Sequence, residues 1–211
     1  MGVVLSAAGS LRWFRDAIVP EAGVGSDEDP YDRLMGEAAG VAPGADGLFF
    51  LPYLAGERTP HMDPHARGAW IGLSLAHERR HLVRALIEGV SFALRDSLAG
   101  MERLRTVPEL LYVVGGGAKG ALWRQILAAA LGVPLQRLAA EEGPAMGAAL
   151  LAAIGAGVHP DIQSAVAKVV RPHGSPELPE PELRAVYGRL HARFNLLYPA
   201  LKQTGLWTGQ P

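Results

Sequence analysis

The 211-residue sequence contains no cysteine, and neither sign of charge is in excess. Without cysteine there are no disulfide bonds, no thiolate catalysis and none of the usual structural zinc sites. The 20 basic and 21 acidic residues give a net charge of −1. This balance provides no basic surface for nucleic acid or for an anionic membrane. We therefore expect no nucleic-acid partner.

Long apolar runs are missing as well. No stretch approaches the ~20 apolar residues of a membrane-spanning helix. Charged residues interrupt the first 19 positions early, which is unlike a signal peptide. We therefore expect a cytoplasmic protein with no membrane partner. Hydrophobic residues make up 49% of the chain, which is enough for a substantial core in one domain.

The most informative stretch that is present is residues 110–120, with the sequence LLYVVGGGAKG. A short apolar, β-branched strand ends at three glycines, and residues 118–131 then show the pattern of an amphipathic helix. Glycine lets the backbone turn and approach a ligand closely, and a helix start offers unpaired N–H groups to an anion. The order favours a phosphate cradle, although many turns use glycine for steric reasons alone. It is neither the Walker pattern nor the GxGxxG fingerprint.

The hydrophobic pattern predicts an α/β fold, because strands and helices alternate after residue 110 and parallel strands with helices on their faces follow. Four prolines in residues 171–181 predict a stiff, extended linker. The last helix is expected to pack back onto the domain as a strap. Helices are predicted at 3–17, 31–39, 77–105, 118–131, from 143 onward and at 182–202, and strands at 48–54, 68–75, 110–114 and 133–138.

Four separated motifs resemble, in order, the C-terminal domain of the FGGY carbohydrate kinases, most closely the xylulokinases among them. The motifs are FFLPYLAGERTPH at 49–61, GAWIGL at 68–73, GGGAKGALWRQ at 115–125 and GPAMGAA at 143–149. Residues 5–13 and 194–201 resemble the same family, so the similarity covers essentially the whole chain.

This resemblance implies the ribonuclease H/actin-like ATPase fold, in which two domains enclose a cleft and ATP phosphorylates the terminal hydroxyl of a sugar. The chain would be the single C-terminal half, with a mixed sheet flanked by helices in residues 1–170, the linker at 171–181 and the strap helix at 182–202. The resemblance places the catalytic base, the magnesium ligands and most of the sugar pocket in an N-terminal domain absent here. No catalytic residue and no metal site are then expected in this chain, which would be inactive alone.

Carried over residue by residue, the resemblance concerns the nucleotide, ATP or ADP. The backbone of the glycine turn would meet ribose and phosphate, while Ala121 stands where some relatives place an asparagine. A helical segment near the start would border the base, where Arg12 would either stack on adenine, reach a phosphate or remain a solvated surface charge. The candidate nucleotide-binding residues are Gly9, Ser10, Arg12, Gly115, Gly116, Gly117, Ala118 and Ala121.

Other features have two readings each. Residues 143–149 resemble the helix beside the family's hinge, but glycine and alanine also serve ordinary helix packing. In the loop at 56–67, Glu57 and Arg58 are interpreted as paired surface charge rather than metal ligands or acid–base groups. Glu88 is expected to pair with Arg84 and to face solvent.

The expected biochemical role also has alternatives. The first is half of a kinase for D-xylulose, or for another ketose, a polyol or a sugar acid. The second is a non-catalytic, actin-like module that binds nucleotide or forms oligomers. Since the cleft wall would be uncovered, self-association or a complementing N-terminal half is expected as a partner.

Overall fold

The computed structural model describes residues 2–20, 28–104, 108–139 and 143–207. The strands are β1 (Phe49–Leu51), β2 (Ala69–Ile71), β3 (Leu111–Val113), β4 (Leu135–Leu138) and β5 (Pro172–Glu177). The helices are α1 (Gly9–Trp13), α2 (Pro30–Ala39), α3 (Arg79–Arg103), α4 (Ala121–Leu131), α5 (Gly143–Gly155), α6 (Ile162–Val169) and α7 (Pro181–Gln203). Within these ranges, no helix is long and apolar enough to cross a membrane.

Strands β3, β4 and β5 form a mixed sheet in that order. Leu111 in β3 lies opposite Leu135 in the parallel strand β4, while β5 pairs with β4 in the antiparallel direction. Strands β1 and β2 form a separate antiparallel pair. The predicted mixed sheet flanked by helices is thereby confirmed.

The core is built around α3. Every residue from 83 to 93 is buried, because α2, α4, α7 and β1 all pack against this helix. A helix covered on all sides must be apolar or internally paired over most of its surface. The largest fully buried aromatic side chains are Phe14, Phe50, Tyr53, Phe92, Tyr187 and Phe194.

Glu88 pairs with Arg84 as predicted, but the expectation that it faces solvent is wrong. Only 2% of Glu88 is exposed, because α7 covers this face of α3. Its Oε1 accepts hydrogen bonds from Arg84 Nε at 2.7 Å and from the Tyr187 hydroxyl at 2.9 Å. The backbone N–H of Gly44 donates to both carboxylate oxygens, at 3.0 and 3.1 Å. The pair therefore connects α3 to α7 and to the segment before β1.

The helix predicted at 3–17 is wrong over its first six residues. Val3 N–H donates to Thr59 Oγ1, and Thr59 N–H donates to the carbonyl of Val3, both at 3.1 Å. These long-range bonds hold the segment in a non-helical conformation, and Ala7 has a φ of +34°. The α-helix begins at Gly9 and continues as a π-helical turn over Phe14–Ile18.

The linker predicted at 171–181 is corrected by β5, which occupies six of its residues as an edge strand. Proline is tolerated at a sheet edge, where it need not donate to the ladder. The side-chain amide of Gln136 donates to the carbonyls of His173 and Gly174, at 3.1 and 3.3 Å. An extended chain was predicted, and its pairing with β4 was not.

Helices α6 and α7 differ in whether the sequence predicted them. Helix α6 was not predicted, although Asp161 marks its start by accepting a hydrogen bond from Ser164 N–H at 2.7 Å. Helix α7 is the expected strap, and it packs on α3 and α4. The end of α3 predicted at residue 105 lies outside the described residues.

The strap also fastens the loop at 56–67. The Tyr198 hydroxyl donates to Asp63 Oδ2 at 2.7 Å, and Lys202 Nζ lies 3.1 Å from the same oxygen. The hydrogen bond from Tyr198 lowers the pKa of Asp63 to about 2. A lowered carboxyl pKa stabilises the fold above the unfolded value, about 3.9, and this stabilisation is lost as the pH falls toward 2.

We therefore expect Asp63→Asn to unfold at a lower temperature than the original protein at pH 7. The difference should shrink between pH 4 and pH 2, and thermal unfolding followed by circular dichroism at steps of pH measures it. Glu109→Gln, at an exposed position, is the control and should give a parallel curve. A constant difference across this range would contradict the assignment of the stabilisation to the ionised Asp63.

Candidate functional site

The glycine turn connects β3 to α4. Gly115 has a φ of +86°, a conformation that favours glycine, and a 3₁₀ turn over Gly116–Ala118 follows. A side chain at Gly116 would meet no atom within 4 Å, so this backbone borders open space. Arg124 on α4 holds the turn, since its Nη1 donates to the carbonyl of Lys119 at 2.7 Å.

The starts of α1 and α2 meet this turn and enclose a cavity of about 330 Å³. A Cβ built on Gly117 would lie 3.4 Å from Ala8 Cβ at the start of α1. A Cβ built on Gly120 would lie 3.6 Å from the Met35 sulfur on α2. Three backbone segments distant in sequence therefore converge on one cavity, whose volume is at the lower end of the range for small-molecule sites.

The structure brings some of the candidate nucleotide residues together and separates others. Gly9, Arg12, Gly116 and Gly117 line the cavity. Ser10 is fully buried, and its hydroxyl has no hydrogen-bond partner among the described residues.

Three further candidates lie around the turn. Gly115 borders a second cavity, and Ala118 lies in the 3₁₀ turn. Ala121 is exposed at the first position of α4 and does not line either cavity. Nucleotide contact at all eight candidate positions stays a prediction.

The sequence did not reveal that α2 supplies a wall of this cavity. Asp29, Tyr31, Asp32 and Met35 line the cavity, as do Lys119 and Trp123. The helix itself was predicted, and Asp29 before Pro30 is a typical start signal. Its proximity to the glycine turn is a tertiary contact over more than 80 positions, for which the sequence carries no local signal.

The second cavity, of about 380 Å³, also borders the glycine turn and shares Gly116, Gly117 and Trp123 with the first. Its walls are mostly apolar and include Val90 and Leu94 from α3 and Leu127 from α4. Helix α3 therefore forms part of the surface next to the glycine turn.

The loop at 56–67 is a structural element in this fold. Glu57, interpreted above as paired surface charge, is only 2% exposed. Its Oε1 accepts from the backbone N–H groups of Arg58 and Thr59, at 2.6 and 3.2 Å. Burial raises the pKa of Glu57. The surface-charge interpretation is therefore wrong for Glu57.

His61 and Asp63 also pack inside this loop. The His61 ring stacks on Tyr198 with ring centroids 3.6 Å apart, and its Nε2 lies 3.2 Å from the Tyr53 hydroxyl. In the described ranges of the chain, no group of three or more potential ligands is placed to hold a metal ion. These contacts account for the motif as a clamp between the loop and α7.

The chain is similar in structure and in sequence to known sugar kinases. The crystal structure of xylulose kinase from Rhodospirillum rubrum matches with a TM-score of 0.81 and 37% identity, over 96% of this chain and 40% of that chain. A xylulose kinase of Staphylococcus epidermidis is 37% identical over 203 residues, which are 96% of this chain and 39% of that protein. A gluconokinase of Bacillus subtilis is 39% identical over 121 residues, 56% of this chain and 24% of its own.

The mixed sheet, its flanking helices and these structural neighbours define a domain of the actin-like ATPase fold. Residues 1–156 match the C-terminal domain of the FGGY family of carbohydrate kinases. The chain belongs to this family. It spans about two fifths of the length of the xylulose kinases that it matches.

Proposed function

We propose that this chain is the nucleotide-binding half of an ATP-dependent sugar kinase that converts D-xylulose to D-xylulose 5-phosphate. The cavity between the glycine turn and the starts of α1 and α2 carries the proposal, because it joins glycines of the turn, two cations and apolar side chains in one place. Arg12 and Lys119 are the cations. The cytoplasm, expected from the sequence, remains the proposed compartment.

The residues present fit ATP, which supplies the phosphoryl group when bound. Phosphoryl transfer depends on positioning and charge neutralisation more than on covalent chemistry. The backbone of the glycine turn and the two cations hold the phosphates, while Met35 and Trp123 provide apolar surface. We assign the ligands of the Mg²⁺ that usually accompanies ATP to the other half of the kinase, as the family resemblance implies.

The apolar surface supports a second half. Tyr112 and Val114 beside the glycine turn are 56% and 48% exposed, and Leu151 on α5 is 66% exposed. Only Leu150 of α5 is buried, although this helix is rich in alanine and leucine. Such a surface favours a complementing N-terminal half or self-association. The hinge-side role of α5 belongs to this proposal.

A gluconokinase is also similar to the chain, at 39% identity over 121 residues. Another ketose, a polyol or a sugar acid is therefore the alternative substrate. A non-catalytic nucleotide-binding or oligomerising module is the second candidate function.

Co-expression with the unmatched N-terminal part of the Staphylococcus epidermidis enzyme tests the function. We expect sugar-dependent ADP release from the pair and none from this chain alone, with D-xylulose turned over faster than D-ribulose, D-gluconate or glycerol. In the pair, Gly116→Val should lower kcat/KM for ATP by roughly 10- to 100-fold, because the side chain occupies the ligand's space. A coupled spectrophotometric assay measures both.

Gly188→Val is the matched control, since Gly188 lies on α7 and a side chain there also meets no atom within 4 Å. It should leave kcat/KM unchanged. Robust ADP release by the chain alone would refute its assignment as half an enzyme. Faster turnover of D-gluconate than of D-xylulose would identify gluconate as the substrate. A pair that binds ADP but phosphorylates no sugar would favour the non-catalytic module.

A further inference from the structure

In the 330 Å³ cavity, the positively and the negatively charged residues come from different structural elements. The cation Arg12 lies on α1, and the cation Lys119 follows the glycine turn. Of the two carboxylates, Asp29 precedes α2 and Asp32 lies in its first turn. A chain of phosphates is attracted by the cations and repelled by the carboxylates. We therefore expect the uncharged part of a bound nucleotide at the start of α2, beside the carboxylates.

The two carboxylates have different local roles. Asp29 caps α2, because its Oδ1 accepts a hydrogen bond from Tyr31 N–H at 2.8 Å. Asp32 is exposed to the cavity, and in the described part of the chain no hydrogen bond or ion pair engages it. Asp32 is thus the carboxylate that a ligand can use without breaking the helix cap.

The position of Asp32 along α2 determines which part of the nucleotide it meets. Met35 lies three residues later on the same helix face, and its sulfur would be 3.6 Å from a Cβ built on Gly120, at the end of the glycine turn. Three residues rise about 4.5 Å along a helix, so Asp32 is nearly one turn farther along α2 than the residue beside the glycine turn. In a nucleotide the ribose is attached directly to the phosphates, and the base lies beyond it.

The chemistry of the carboxylate agrees with this position. An ionised carboxylate only accepts hydrogen bonds, and the two neighbouring hydroxyls of ribose are two donors. The edge of adenine instead places ring acceptors beside its amino group. We propose that Asp32 is a specificity-determining residue that binds the ribose hydroxyls, so that the cavity selects ribonucleotides over 2′-deoxyribonucleotides. The inference rests on the proposed function, because it takes the cavity to be the nucleotide site.

Equilibrium dialysis of the purified chain with radiolabelled ADP, 2′-deoxy-ADP and IDP tests the proposal. ADP should bind about tenfold more tightly than 2′-deoxy-ADP, as expected for a hydrogen bond to a charged group. In Asp32→Ala this ratio should fall close to one. The ratio of ADP to IDP, which differ at the amino group of the base, should be the same in both proteins.

Glu182→Ala is the matched control, because Glu182 is an exposed acidic residue in the first turn of α7, outside the cavity. Both variants remove a charge that favours a helix start, and the control should bind all three nucleotides like the original protein. An unchanged ratio of ADP to 2′-deoxy-ADP in Asp32→Ala, or a loss confined to the ADP/IDP ratio, overturns the role of Asp32 but keeps the nucleotide site. Absence of ADP binding by the original protein overturns the site and the inference together.

Discussion

Replacing Glu88 with alanine is expected to destabilise the fold by about 3–5 kcal/mol. The change removes the partner of a cation that is itself only 4% exposed, Arg84. It also leaves the Gly44 N–H without its acceptor and the Tyr187 hydroxyl without one of its partners. A buried charge that loses its partner keeps the full cost of its burial, which is why the loss exceeds the value of an ordinary ion pair.

Denaturation in urea measures this loss as a shift of the midpoint. Glu102→Ala is the matched control, because Glu102 pairs with Arg95 on the same helix at 3.0 Å but both side chains are about one quarter to one third exposed. Such a pair contributes at most about 1 kcal/mol. Similar midpoints for the two variants would show that burial does not determine the strength of the Arg84–Glu88 pair.

The same pair bears on the proposed site. Val90 and Leu94, which follow Glu88 on α3, line the mostly apolar second cavity, which borders the glycine turn. The network anchors this part of α3 to α7 through Tyr187. The C-terminal strap therefore holds the helix that supplies part of the wall beside the glycine turn.

Elements with a strong local period could be predicted from the sequence. The helix expected at 77–105 is observed as Arg79–Arg103, and the strand and helix around the three glycines are observed within a few residues. In these segments the apolar spacing and the glycines determine the local conformation. The order of such elements indicated parallel strands, as observed between β3 and β4, whereas the mixed sheet was implied by the family resemblance alone.

Features that depend on distant partners could not be predicted. An (i, i+4) pair such as Arg84 and Glu88 usually lies on a solvated helix face, and only the packing of α7 reveals that it is buried. The segment 3–8 has helical composition but is held open by Thr59. For the same reason Asp32 escaped notice, since its relevance depends on where α2 starts relative to the glycine turn.

Gly89→Ala is expected to destabilise the fold by about 3 kcal/mol, because it overpacks the contact between α3 and β1. An added Cβ would lie well inside contact distance of the Phe50 carbonyl oxygen and 3.0 Å from its carbon. Both atoms belong to backbone, so no side-chain rotation relieves the overlap and the helix must move away from the strand. The urea midpoint should fall, and Trp70, whose ring centroid is 4.5 Å from that of Phe50, provides a nearby fluorescence probe.

Gly100→Ala makes the same chemical change on the same helix, where a Cβ meets no atom within 4 Å. At this position alanine should stabilise the helix by up to about 1 kcal/mol, because it is the better helix former. The two substitutions thus share a helix-propensity gain and differ only in the contact with β1. Opposite shifts of the two midpoints would show that close approach of backbone to backbone requires glycine at position 89, whereas equal shifts would contradict the tight packing of α3 on β1.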